Sequence, residues 1–231
     1  MKTLRRTILI AFLATLSAVV SAQSDSDETA RVRKAAEVLD EIMAARDSSI
    51  PTSILSKAEA IVVFPSTIKG AFIVGAQRGR GVISARENGT WSNPAFLTIT
   101  GGSFGLQIGG QELDIVLVVM NRKGLENLLQ NQFEVGGEAS VAAGPVGRDA
   151  SASTDIQFRA EMLSYSRSRS LFAGVSLRGA SIRQDQDANE RFYGSRFRTR
   201  DVVLDGKAVK PLAADAVTSW QQALAKYAAP R

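Results

Sequence analysis

An α+β fold, mainly an antiparallel β sandwich or barrel-like sheet with an N-terminal helix, one inserted helix and C-terminal helices, is what this 231-residue sequence predicts. Three observations carry it. Apolar residues recur at steps of three and four from Thr29 to Arg46. Short apolar or β-branched runs, punctuated by glycine, asparagine and proline, fill the chain from Ala58 to Arg183. Helical spacing returns after Pro211.

The chain opens with the basic stretch Met1-Lys2-Thr3-Leu4-Arg5-Arg6, then an apolar run from Thr7 to Val20, then Val20-Ser21-Ala22. That order predicts a signal peptide over 1–22, cleaved before Gln23. The apolar run is about 14 residues, short of the roughly 18 to 20 that span a bilayer. Residues 23–28 read as a polar linker and 29–231 as one domain, located in the periplasm or secreted.

In the first helix, Val32, Ala35, Ala36, Leu39, Ile42 and Met43 form one apolar stripe, and Asp25 or Ser26 stands where a cap is needed. The opposite surface mixes Arg31, Arg33, Lys34, Glu37, Asp40 and Glu41, which suits packing on a domain better than lying on lipid. Ile50-Pro51 opens a short second helix ending near Leu55. Strands follow over Ala60–Phe64, Gly70–Ala76, Gly81–Ala85 and Ala95–Thr100, with Asn88-Gly89 as a hairpin turn. Ser103–Ile108 and Leu113–Met120 add two more, the second apolar enough to be central. A helix over Arg122–Gln132 interrupts the strands, which resume over Phe133–Ala143, Ile156–Ser166, Leu171–Leu177 and Ala180–Arg183. Helices over Asp187–Tyr193 and Leu212–Tyr227 close the chain.

Composition removes several chemistries. With no cysteine there is no disulfide, thiolate metal site or cysteine nucleophile, and with no histidine the usual general base and commonest zinc ligand are gone. Loss of Lys2, Arg5 and Arg6 with the signal peptide lowers the formal charge from +5 to +2, so the basic precursor is no nucleic-acid signature. The glycine runs Gly79-Arg80-Gly81 and Gly101-Gly102-Ser103-Phe104-Gly105 lack the Walker lysine and read as turns and bulges. Glu112 with Asp114 is a carboxylate pair on one strand face, and Asp185, Asp187 and Glu190 lack calcium-loop spacing; both sets read as surface charge. No cofactor, metal or catalytic residue is expected, and the chain is read as a non-enzyme.

Arginine and lysine are more informative. Lys69, Arg78, Arg80 and Arg86 fall on the first hairpins; Arg159, Arg167, Arg169, Arg178 and Arg183 fall on later ones. Brought together, such groups bind phosphate in two-point fashion. Scattered, they are edge residues that discourage strand-to-strand association.

From Ile50 to Gly194 the order of motifs resembles the SYLF domain family. The resemblance rests on Lys69-Gly70-Ala71-Phe72, Arg80-Gly81-Val82-Ile83, Gly89-Thr90-Trp91-Ser92-Asn93-Pro94 and Gly105-Leu106-Gln107-Ile108-Gly109. It continues through Ala143-Gly144-Pro145-Val146-Gly147-Arg148, Ser164-Tyr165-Ser166-Arg167-Ser168 and Asn189, Phe192-Tyr193-Gly194. Ser170 departs from it, standing where members often carry glycine. The resemblance implies binding of acidic phospholipid or a membrane surface, with Lys69, Arg78, Arg80, Arg148, Arg167 and Arg169 as the lipid-binding candidates. It also brings actin binding by eukaryotic members, which is not expected in an exported protein. The competing expectation is a structural domain that meets a protein partner in the envelope.

Overall fold

The structure, a computed structural model, describes residues 26–45, 49–71, 75–103, 111–136, 141–147, 159–168, 171–206 and 210–229, with the backbone alone at 69–71, 75, 76, 102, 103 and 111. The expected signal peptide and its cleavage position lie outside these residues. Helix α1 spans Asp27–Ala44. It starts two residues before the apolar stripe suggests, because Ser26 Oγ accepts from Thr29 N at 3.2 Å and Asp27 and Glu28 occupy the first turn. A short α2, Thr52–Leu55, follows Pro51.

The sheet then begins with β1, Ala60–Ala71, and β2, Gly75–Glu87. Asn88 and Gly89 adopt φ of 49° and 81° and turn the chain into β3, Thr90–Trp91, as the Asn-Gly pair requires. Next come β4, Ala95–Ser103, and β5, Gln111–Val119. Helix α3, Arg122–Leu128, is capped by Asn121, whose Oδ1 accepts from Gly124 N at 2.9 Å. After it come β6, Gln132–Glu134; β7, Val141–Ala143; β8, Met162–Ser168; β9, Leu171–Gly174; and β10, Ala180–Gln184. Helices α4, Gln186–Tyr193, α5, Thr199–Val203, and α6, Ala214–Tyr227, complete the described elements.

The strands form one curled, half-barrel sheet in the order β6-β10-β4-β2-β1-β5-β8-β7, with β3 on β2 and β9 on β8. Its described pairings are antiparallel except β7 with β8. The fold expected from the sequence is therefore present, including the interior placement of β5. Two expected strands are corrected: Gly70–Ala76 is not one strand, since Gly70 and Ala71 end β1 and pair antiparallel with Ala76 and Gly75 at the start of β2, and Phe133–Ala143 divides into β6 and β7, which stand at opposite ends of the strand order. Gly136, at φ 91°, turns the chain out of β6. Of Ser103–Ile108, only Ser103 is described, as the last residue of β4.

Register decides which side chains share a face. Phe96, Val82, Val63, Val116 and Tyr165 form one buried row across β4, β2, β1, β5 and β8. Helices α1 and α6 cover this face and pack on each other. Trp220 Nε1 donates to Ser84 Oγ at 2.9 Å, and the Arg31 guanidinium lies 5.2 Å from the Phe96 ring centroid. Close packing also explains a glycine: a Cβ on Gly81 would lie 2.4 Å from the Phe64 ring and 2.8 Å from the Val63 carbonyl oxygen.

Candidate functional site

Two residues beyond Val82 on the helix-covered face stands Arg80, and two beyond that Arg78, both exposed. Their neighbours come from a bulge in β1, where register shifts between Phe64 and Thr67. Ser66 there holds a left-handed φ of 52°, and its N–H donates to Asp114 Oδ1 at 3.0 Å, which offsets the strain of that conformation. Arg78, Arg80, Pro65, Ser66 and Ile68, with Arg31 and Lys34 from α1, line an open cleft of about 460 Å³. Asp27 is the acid on its wall. Among the described residues, no carboxylate forms an ion pair with Arg78 or Arg80.

The two helix cations differ in kind. Arg31 is 7% exposed and has Asp185 at 3.6 Å and Glu28 at 3.9 Å. Burial lowers its pKa, Asp185 and Glu28 push it back up, and the charge of Arg80 lowers it again. Arg31 therefore contributes a fixed and largely compensated charge to the cleft wall. Glu28, 2% exposed, also accepts from Arg191 Nε at 2.8 Å. Lys34 is exposed and bonds Glu37 at 2.9 Å, which raises its pKa. The sequence reading left both helix residues out of the site; their spacing of three, one turn apart on α1, was the available signal.

Of the six candidate lipid-binding residues, Arg78 and Arg80 come together. Lys69 is described by its backbone, paired with Gln77 and Gln111, one register position from Arg78. Arg148 and Arg169 lie outside the described residues. Arg167 stands on β8, separated from β2 by β1 and β5, and is engaged elsewhere. Its Nε and Nη2 donate to Asp114 Oδ2 at 3.0 and 2.7 Å, and Nη1 pairs with Glu41 of α1. Burial works to lower its pKa, and Asp114 and Glu41 more than offset that, so the net shift is upward. Arg167 ties β5, β8 and α1 together.

Arg86 likewise serves the fold. Its Nη1 donates to Ser56 O at 2.7 Å and its Nη2 to Leu55 O and Ala228 O, while the guanidinium lies 4.7 Å from the Trp91 ring. A cation thus sits at the carboxyl ends of α2 and α6, where helix dipoles favour it. Arg183, on β10, pairs in register with Thr98, as Arg80 does from the other side, so a further exposed cation shares the row of Arg80.

The carboxylates sort in the same way. Both oxygens of Asp114 are bonded, to Ser66 N and Arg167, while Glu112 is exposed. Asp185 caps α4 through Ala188 N at 3.1 Å, and Asp187 pairs with Arg196 at 3.7 Å. Among the described residues, no group of three acidic side chains is arranged to hold a metal ion.

Residues 100–227, more than half of the chain, match the family model Ysc84, described as "Las17-binding protein actin regulator". Protein YSC84 of Saccharomyces cerevisiae is 32% identical over 84% of this chain and 42% of its own length. SH3 domain-containing protein PJ696.02 of Schizosaccharomyces pombe is 35% identical over 72% of this chain and 39% of its own. SH3 domain-containing YSC84-like protein 1 of Xenopus laevis is 33% identical over 78% of this chain and 55% of its own. The chain spans about half the length of these curated relatives. By the matched length, the identity and the half-barrel sheet between two helical ends, the chain belongs to the SYLF (Ysc84) family.

Proposed function

We propose that this protein is a peripheral lipid-binding module of the bacterial envelope, which docks on acidic phospholipid headgroups through Arg78 and Arg80, with Lys34 beside them. The observation that carries the reading is the cleft: two exposed guanidinium groups, two residues apart on one strand, neither ion-paired with a carboxylate among the described residues, with Asp27 as the one acid among the lining residues. Guanidinium forks suit phosphate oxygens, and each cation close to an anionic membrane contributes roughly 1 kcal/mol. The docking is therefore weak and screened by salt. The basic and apolar amino-terminal segment supports export, with the mature chain beginning at Gln23.

The test is co-sedimentation with phosphatidylglycerol vesicles and with phosphatidylcholine vesicles at low and high salt. Binding to the first alone, lost at high salt and weakened roughly fivefold each by Arg78→Ala and Arg80→Ala, is the expected result. Equal failure to sediment with both vesicle types sinks the reading.

A second reading has its own support. The matched family model is described in terms of binding Las17 and regulating actin, which favours a protein-interaction surface. Co-sedimentation with filamentous actin separates the two, and pelleting with actin but not with vesicles selects the second.

A further inference from the structure

Resting on the headgroup reading, we propose that the molecule meets an anionic bilayer end-on, with Ile68 entering the acyl boundary and Arg78 and Arg80 at the depth of the phosphates. Ile68 is 65% exposed although it lies within β1, paired in register with Arg78 on one side and Glu112 on the other. A strand-bound side chain so placed cannot turn away from water, because both neighbouring strands fix its backbone. One such residue means little by itself.

Its surroundings give it meaning. Leu171, 72% exposed, opens β9 and pairs with Ser168, the residue after Arg167; Arg167 pairs with Asp114. Leu171 therefore reaches the same end of the sheet as Ile68. Two of the three large exposed hydrophobic residues among those described share that end.

The other end of β2 is built differently. Its hairpin tip is Asn88-Gly89, Arg86 is bonded to three carbonyls, and α6 packs against β3. Ile68 has Arg78 on one side and Glu112 on the other, with Arg80 two residues beyond Arg78. An exposed apolar group beside this net positive charge, at one end of a rigid sheet, matches the layering of an anionic bilayer, where acyl chains lie beneath phosphates. The stems of Arg78 and Arg80 allow their heads to stay at the phosphates while Ile68 goes deeper.

The chain has no cysteine, so a single introduced cysteine carries an environment-sensitive fluorophore cleanly. Full-length Ile68→Cys and Thr90→Cys, the latter at the opposite end of β2, are labelled with nitrobenzoxadiazole and mixed with phosphatidylglycerol vesicles. The expected result is a several-fold rise and blue shift of emission at position 68 and no change at position 90. Unlabelled Ile68→Asp, with its fold checked by circular dichroism, should partition about tenfold more weakly. Vesicle binding with an unchanged signal at 68, or a larger one at 90, overturns the orientation and leaves headgroup docking standing. Absence of vesicle binding by the unlabelled protein overturns both.

Discussion

Arginine does two jobs in this chain, and the partner decides which. Arg167 has two carboxylates and holds strands to a helix; Arg78 and Arg80 have none among the described residues and face solvent. Removing the first should therefore act on stability. Arg167→Ala leaves the nearly buried Asp114 without its cation, and we expect a loss of about 2 to 3 kcal/mol in urea unfolding, with vesicle binding by the folded fraction unchanged. Tyr165 offers a second single-residue test. Its hydroxyl is buried without a hydrogen-bond partner among the described residues, its ring stacks on Phe172 with centroids 5.5 Å apart, and burial raises its pKa. Tyr165→Phe removes a desolvated polar group and should keep or raise the melting temperature at neutral pH. Because the folded state holds this proton more tightly than the unfolded state, the stabilisation is present below roughly pH 10 and declines above it as the unfolded tyrosine ionises. The substitution should flatten that alkaline decline in melting scans from neutral to alkaline pH. Sequence alone names all these residues but cannot sort them, since Arg78 and Arg167 look alike until register places an acid beside one of them.

At the scale of elements, period and punctuation were legible. The three-and-four stripe announces α1, Asn88-Gly89 announces the β2–β3 turn, and the unbroken apolar run announces β5 as interior. What the pattern could not carry was strand identity where two short strands follow one another. Phe133–Ala143 reads as one run, yet β6 pairs with β10 and β7 with β8, pairings made by residues far away in sequence. Helix α5 has five residues, too few for a period, and is held by Arg198 N donating to Asp201 Oδ2 at 3.1 Å and Thr199 N donating to Gln184 Oε1 at 3.0 Å. Gly79-Arg80-Gly81, expected as a turn or bulge, runs inside β2 in unbroken register with β4, and Gly81 is there because a ring and a backbone oxygen approach it closely. Gly81→Ala should destabilise the protein by roughly 2 kcal/mol or more in chemical denaturation, because its Cβ meets both a buried ring and a backbone oxygen that cannot yield independently.

For the molecule as a whole, the curled sheet separates two regions that the sequence interleaves. Helices α1 and α6 close one part of a face, and the same face carries the cation-lined cleft where α1 begins. The site was half legible: Arg78 and Arg80 were named from the strand pattern, while Arg31 and Lys34 enter because the N-terminal turns of α1 lie against the bulge in β1. The first helix, with nine buried residues, is part of the core and not a free amphipathic segment, as its mixed polar face implied. Vesicle binding and the fluorophore at position 68 are tests at this scale, because they ask how the assembled surface is presented.

The guanidinium of Arg86 reaches carbonyls that lie 30 residues before it and 142 residues after it. Ion pairs from Arg33 to Asp215 and from Lys226 to Asp40 repeat that long reach between α1 and α6. The contacts that cover this flank of β1 and β2 therefore join segments far apart in sequence. Closing this flank is thus a non-local event, which costs more chain entropy than zipping the β1–β2 hairpin and should follow it in folding.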